Sequence, residues 1–583
     1  MFKAGIYHRP ESEDITLLSE DTVAIRIKTA LNDIKKIKLL YGDPYLISAD
    51  KPAISQFLIK KRHDDIYDYW ELELEQKTKR LAYAFLLEDY DGEVSLYADQ
   101  QFYHPNKQIS ENGSAFFKLP YFHLIDASIG PRWVKETVWY QIFPDRFNNG
   151  NINNDPVKTL PWDSTVSPQS DSFYGGDLEG IIEKLDYLID LGINGLYLTP
   201  IFKAPSNHKY DTSDYYEVDV NFGDKATLKK LIDEAHKRNM RVMLDAVFNH
   251  IGDQSPIWQD VIKNENQSQY IDWFHINHFP IAVNSDITDE AFSKKANYDT
   301  FAFTPHMPKW NTSNLEVQEY LLSIGEYWVK EFDIDAWRLD VANEVDHHFW
   351  RQFSTRMKQI KPNIYILGEI WHTSQPWLDG SQFDGVMNYA YMQHIKDFFI
   401  QNDQTPEEFT NRLTHELMLY SDTTNQMMFN LLDSHDTARI QTEVSNEKIV
   451  RQLLMFMFMQ PGTPDIYYGT ELGMTGGDDP DNRKPMAWQL ANEDNITYQN
   501  TKIIIKIRRQ YAKLFAEGNL VLIPLQDGIV VKRQLGQKII TGVFSRQSTL
   551  PIEDVSGMTV LFGNEDILER KLAPHSVFVY LTK

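Results

Sequence analysis

The chain has 583 residues, 42% of them hydrophobic, enough for several domains at about 150 residues each and for a large core without cross-links. Its 58 Lys+Arg against 83 Asp+Glu give a net charge of -25, which argues against nucleic acid or an anionic membrane as partner. It has no cysteine, which excludes disulfides, thiol catalysis and Cys-based zinc sites. Aromatic residues are abundant (32 Phe, 30 Tyr, 13 Trp) and suit either a core or the flat faces of sugars.

The start, MFKAGIYHRPESEDITLL, lacks the basic and apolar regions of a secretory signal, and no run approaches the ~18 apolar residues of a membrane span. A cytoplasmic protein is expected. The first ~125 residues read as strands: Val23, Ile25 and Ile27 alternate with Arg26 and Lys28, and Trp70, Leu72 and Leu74 with Glu71, Glu73 and Glu75. That period of two predicts an N-terminal β-sandwich over 1–125.

From 126 to 503 the pattern becomes short apolar strands followed by amphipathic helices. Strands are expected at 137–143, 194–200, 241–248, 336–341, 364–370, 385–389, 428–432 and 464–468. A helix before the second strand should bury Ile181, Ile182, Leu185, Leu188 and Ile189, and Leu453–Met459 reads as a buried helix. Eight strands alternating with helices predict an α/β fold, a (β/α)8 TIM barrel; a doubly wound sheet is disfavoured because no Gly-rich turn follows the first strand. Asp245 and Asp340 lie about 95 residues apart, far beyond one strand–helix repeat, so an inserted loop subdomain is expected after strand 3, at about 250–311. Residues 504–583 return to short strands and predict a C-terminal β-sandwich.

Polar residues crowd the predicted strand ends. The third strand runs into Asp245, Asn249 and His250, the fourth carries Arg338 and Asp340, the fifth ends Glu369-Ile370-Trp371-His372, and the seventh meets Asp433-Ser434-His435-Asp436. One acid at a strand end is an ordinary cap or ion-pair partner. Four strands ending in carboxylates, imidazoles and an arginine point to chemistry, and glycosidic cleavage is the chemistry that needs paired carboxylates but neither thiol nor phosphate loop.

These segments resemble the four sequence regions of the α-amylase superfamily, glycoside hydrolase family 13. Met307-Pro308-Lys309-Trp310-Asn311, Val341-Ala342-Asn343-Glu344 and the N-terminal β-domain are similar to the cyclomaltodextrinase, neopullulanase and maltogenic amylase group within it. The resemblance implies an α-glucan hydrolase with Asp340 as nucleophile, Glu369 as acid and base, and Asp436 holding hydroxyls of the ring at the cleavage site. It implies substrate contacts from Arg338, His250 and His435, and from the His208–Asp211 loop. Tyr140 has two readings, a stacking platform for that ring or a buried first-strand tyrosine. Trp310 and Trp371 are further expected cleft aromatics.

The resemblance also implies a structural calcium ion (Ca2+) held by Asn149, Asn151, Asn154, Asp155, the Gly175 carbonyl and Asp177. The loop Asn148–Asp155 is rich in the hard oxygen ligands calcium takes, although such residues also populate ordinary turns. It further implies a homodimer through the N-terminal domain. The substrate is expected to be a cyclodextrin, pullulan or maltooligosaccharide. An α-glucosidase or branching-type transferase on the same barrel, and a non-catalytic carbohydrate-binding protein, are the alternatives.

Overall fold

The computed structural model describes every residue except 100, 107–112, 128, 282–296 and 583, so part of the expected insertion lies outside the described residues. The chain forms two compact units. One comprises Met1–Ile129, Gln375–Ser381 and Asp403–Asn425, the other Gly130–Ser374, Gln382–Asn402 and Gln426–Lys583.

In the first unit, strand Thr22–Ala30 pairs antiparallel with Tyr67–Glu75, setting Ile25 opposite Leu72 and Ile27 opposite Trp70. This four-stranded sheet is completed by Ile15–Leu17 and Ile59–His63, and a second sheet is built on Ile34–Gly42 and Ala82–Asp89. Val23, Ile25 and Ile27 share one core with Ile34, Ile37, Leu39 and Phe85, so the two sheets face each other as the alternation predicts. Arg26 departs from it. Expected to point outward, it is buried because its guanidinium pairs with Glu71 at 3.1 Å and donates to the carbonyls of Met418 and Tyr420 at 3.2 and 2.9 Å.

The second unit contains the barrel, whose eight strands are Trp139–Ile142, Gly195–Leu198, Arg241–Ala246, Ala336–Leu339, Tyr365–Gly368, Gly385–Val386, Phe429–Asn430 and Thr463–Tyr467. They are parallel neighbours in that order, the eighth returning to the first. The sixth and seventh, only two residues each, are linked by the isolated bridge Met387–Phe429, which closes the ring. Apolar runs without alternation are what parallel strands covered on both faces require, and every residue of the first, second, fourth and fifth strands is buried.

The helix before the second strand breaks at Lys184 into Leu178–Glu183 and Leu185–Leu191. Ile181, Leu185 and Leu188 are buried, but the break turns Ile189 off that stripe and leaves it 40% exposed. Gly192, at φ +98, ends the second piece. After the third strand the insertion is pinned by bridges His250–Lys309 and Phe274–Trp310, and the chain returns through helix Leu315–Phe332.

Helix Glu447–Met459 buries every residue from Val450 onward, as its apolar run predicts. Beyond helices Ile496–Gln510 and Ala512–Glu517, a five-stranded antiparallel sheet starts at Asn519. Its Val543, Phe578 and Tyr580 pack against Leu550 and Leu572 of a three-stranded sheet, the expected C-terminal sandwich. Among the described residues no helix is long and apolar enough to cross a membrane.

Candidate active site

Strand register brings the acids together. Arg338 on the fourth strand lies beside Asp245 of the third and Leu367 of the fifth. The ladder continues past the strand ends, with Asp340 N–H donating to the Ala246 carbonyl and Glu369 N–H to the Leu339 carbonyl, both at 3.0 Å. Asp340 and Glu369 therefore flank one another at the carboxyl ends of adjacent strands.

A single buried guanidinium joins three carboxylates. Arg338 Nη1 donates to both Asp245 oxygens at 3.0 Å and to Asp340 Oδ1 at 2.7 Å, while Nη2 lies 2.9 Å from Glu369 Oε2. Glu369 Oε2 also accepts from Val341 N–H at 2.8 Å, and Oε1 from the Trp371 indole at 2.9 Å. Burial pushes Asp340 well above the usual carboxylate range; Arg338 opposes this, and the charges of Glu369 and Asp245 add to it. Burial also raises Asp245 to about 6, against Arg338 and two tyrosine hydroxyls. One guanidinium among three carboxylates leaves an excess of negative charge in a buried site, which favours the neutral form of Asp340 and Asp245.

Asp436 stands at the end of the seventh strand, 29% exposed. Its Oδ1 is 3.4 Å from Arg483 Nη2, and its Oδ2 is 3.1 Å from His435 Nε2. Burial raises its carboxyl, against Arg483 and Arg338. His435 is connected to the other acids through Tyr210, whose hydroxyl lies 2.5 Å from His435 Nε2 and donates to Asp245 Oδ2 at 3.0 Å. The Tyr210 and His435 rings are parallel, 5.4 Å apart. His208 accepts the Tyr210 N–H on Nδ1 at 3.1 Å, and burial lowers its pKa to about 3.

Several expected contacts are placed differently. Tyr140 is fully buried and its hydroxyl donates to Glu471 at 2.8 Å, which leaves no face for a sugar and decides for the buried reading. Trp310 is 1% exposed, stacked on Phe274 at 4.9 Å with its indole toward the Tyr215 hydroxyl, so it is core of the insertion and not a cleft surface. His250 is buried with Nε2 3.1 Å from the Tyr210 carbonyl, where it supports the loop carrying Tyr210, and burial lowers its pKa to about 3. The Asp211 carboxylate accepts the Ser206 hydroxyl within its own loop. Trp371 meets expectation: it is 47% exposed, bonded to Glu369 and stacked flat on Tyr389 with centroids 3.8 Å apart.

Tyr210 is the residue that sequence reasoning passed over. It lies between His208 and Asp211, in the loop already singled out, but a tyrosine among polar neighbours carries no mark of which way its ring turns. Gln141 and Arg483 were also passed over.

The oxygen-rich loop gathers hard donors around Gly175. Gly175 has φ +77, and a Cβ there would meet Asp155 Oδ1 at 2.4 Å and Asn149 Nδ2 at 2.5 Å, so these three groups converge. Asn149 Oδ1 and Asn154 Oδ1 are buried without a hydrogen-bond partner. Asp177 accepts from Gly180, Gly150 and Asn151 N–H and from Asn154 Nδ2, and burial raises its carboxyl. Two orphaned amide oxygens beside two carboxylates fit a hard cation. The Asn151 side-chain oxygen accepts from the Asn153 N–H and amide, and its carbonyl accepts the Asn154 N–H.

Comparison with known proteins agrees with this geometry. The family description "Alpha amylase, catalytic domain" matches residues 141–521, and "Alpha amylase, N-terminal ig-like domain" matches 1–123. A maltogenic alpha-amylase of Bacillus acidopullulyticus is 47% identical over 90% of this chain and 88% of its own length. An intracellular maltogenic amylase of Bacillus subtilis (strain 168) is 46% identical over 93% of this chain and 91% of its own. A solved cyclomaltodextrinase superposes with a TM-score of 0.90 at 40% identity, covering both chains fully. The strand-end acids thus sit on a barrel whose sequence and shape are both matched along its length, and the chain belongs to the alpha-amylase family of glycoside hydrolases.

Proposed function

We propose that the protein is a retaining hydrolase of α-1,4-glucosidic bonds, and also of α-1,6 bonds, in cyclodextrins, pullulan or maltooligosaccharides, with transfer to acceptor sugars as a side reaction. The supporting observation is the Arg338 guanidinium touching Asp340 and Glu369 together at the ends of adjacent strands, an arrangement in keeping with the closely spaced carboxyl pair of a retaining enzyme. Asp340 attacks the anomeric carbon while Glu369 passes its proton to the departing glycosidic oxygen. The resulting glucosyl ester on Asp340 is opened by water, whose proton returns to Glu369.

Asp436 holds hydroxyls of the ring being cleaved, the buried His435 backs it through Nε2, and Arg338 orients the nucleophile. Tyr210 takes the platform role assigned by sequence to Tyr140, because it is the part-exposed ring at the cluster. Trp371 offers a face to the next sugar, and its indole yields Glu369 Oε1 when the glycosidic oxygen arrives. The relatives named cyclomaltodextrinase and neopullulanase support cyclodextrins and pullulan among the substrates.

Calcium is proposed at Asn149, Asn154, Asp155, the Gly175 carbonyl and Asp177, where it neutralises the carboxylates and ties the loop to the barrel. A cytoplasmic homodimer through the N-terminal domain completes the proposal; the relative described as intracellular supports the compartment. Product chromatography on β-cyclodextrin, pullulan and starch in parallel, with NMR of the first anomer released, tests the function. Maltose-sized products with retained α-configuration are expected; an inverted first anomer, or no cleavage of any of the three, overturns it.

A further inference from the structure

Gln141 takes part in no step described above, yet it is fully buried in the first barrel strand with its side chain at the catalytic cluster. Register places it between Tyr197 and Tyr467, and its carbonyl accepts Tyr468 N–H at 2.9 Å, so its position is fixed from both sides. Its Nε2 lies 2.7 Å from His435 Nδ1.

The direction of each hydrogen bond can be worked out. The single proton of the Tyr210 hydroxyl is given to Asp245 Oδ2. What Tyr210 Oη offers His435 Nε2 at 2.5 Å is therefore a lone pair, and Asp436 Oδ2 at 3.1 Å offers another. Nε2 must carry hydrogen. On the other side, the Gln141 amide nitrogen is a donor, so Nδ1 must be bare. The result is a one-way chain from Gln141 through His435 and Tyr210 to Asp245. Turning the Gln141 amide over would present its oxygen to Nδ1; the ring would then become an imidazolium, which burial and the nearby Arg483 and Arg338 oppose, or take the Tyr210 proton on Nε2 and set a lone pair against Asp436 Oδ2.

We propose that Gln141 is a positioning residue that holds His435 as the neutral imidazole protonated on Nε2, so that the ring always presents a donor to Asp436, the carboxylate that meets the sugar. The proposal rests on the glycosidase reading of this cluster. The charged and titratable groups around His435 are Asp436, Arg483, Arg338, Glu369, Tyr210 and His208. None of them except Tyr210 and Asp436 bonds the ring, and neither reaches Nδ1.

The full-length enzyme labelled with 15N at histidine, with His435 assigned from its absence in His435→Asn, provides the test. The wild type should show the Nε2–H tautomer without titration across roughly pH 5 to 8. Gln141→Met, similar in size but without a donor, should shift the Nδ1 resonance as that bare nitrogen loses its hydrogen bond, and lower kcat/KM about tenfold, the worth of one oriented hydrogen bond, with little change in melting temperature. Gln141→Glu, which can accept from Nδ1–H, should make His435 titrate within that range and move the kcat/KM pH profile with it. A wild-type His435 that is Nδ1–H or imidazolium overturns the proposal, as does a Gln141→Met enzyme with unchanged spectrum and rate. A wild type with the expected tautomer but no activity on glucans removes the glycosidase reading and leaves the tautomer assignment standing.

Discussion

Tyr210 and Tyr140 show how little a residue's name reveals of its work. Both phenols donate to a buried carboxylate, Tyr210 to Asp245 and Tyr140 to Glu471, but only Tyr210 touches the catalytic cluster. Tyr210→Phe should therefore lower kcat/KM tenfold or more, because His435 loses its acceptor and Asp245 a donor, and leave the melting temperature nearly unchanged. Tyr140→Phe should do the reverse: stability falls by about 1–3 kcal/mol as Glu471 loses a partner, while kcat holds. Steady-state kinetics and thermal melts on the same preparations check both, and equal effects of the two variants on kcat/KM would refute the reassignment. Asp340, Glu369, Asp436 and Arg338 were legible in sequence because a buried strand seldom ends in charge without compensation. Trp310 was misread because nearness in sequence to a catalytic segment says nothing about which way an indole faces.

Elements carry the pH and metal dependence. Asp14, buried beside the N-terminal sandwich strands, accepts the Arg9 N–H and is raised by burial from 3.8 to about 7. The folded chain thus binds a proton the unfolded chain lacks between those values. Asp14's contribution to stability is largest at the acid end of this window and is lost as pH rises through 7. Asp14→Asn should raise the melting temperature at pH 8 more than at pH 5, and equal shifts at both would count against the assignment. In the oxygen-rich loop, excess calcium should raise the melting temperature of chelator-treated protein by several degrees through mass action, and calorimetry showing no shift would remove the cation. The sandwiches and barrel strands were readable from periods of two and from uninterrupted apolar runs. The burial of Arg26 was not, since it depends on Glu71, Met418 and Tyr420, all distant in sequence.

At the scale of the whole molecule, the eight-strand count and the three-part order were legible because each part has its own hydrophobic period, but assembly with a second copy leaves no such periodic mark. The proposed dimer is expected to appear in sedimentation velocity at micromolar concentration, and a monomer throughout would dismiss it.

The barrel is not equally strong all the way round. Asp340 and Glu369 follow the fourth and fifth strands, and the third–fourth and fourth–fifth ladders each run over four residues, whereas the seam between the sixth and seventh, the latter leading to Asp436, rests on the Met387–Phe429 bridge. Thermal opening should begin at that seam, so the amide of Asn388, bonded to the Phe429 carbonyl across it, should exchange with deuterium well before those of Arg338 and Leu339. The nucleophile and the acid would then be among the last parts of the ring to lose their geometry, with the breathing confined to the side that carries neither.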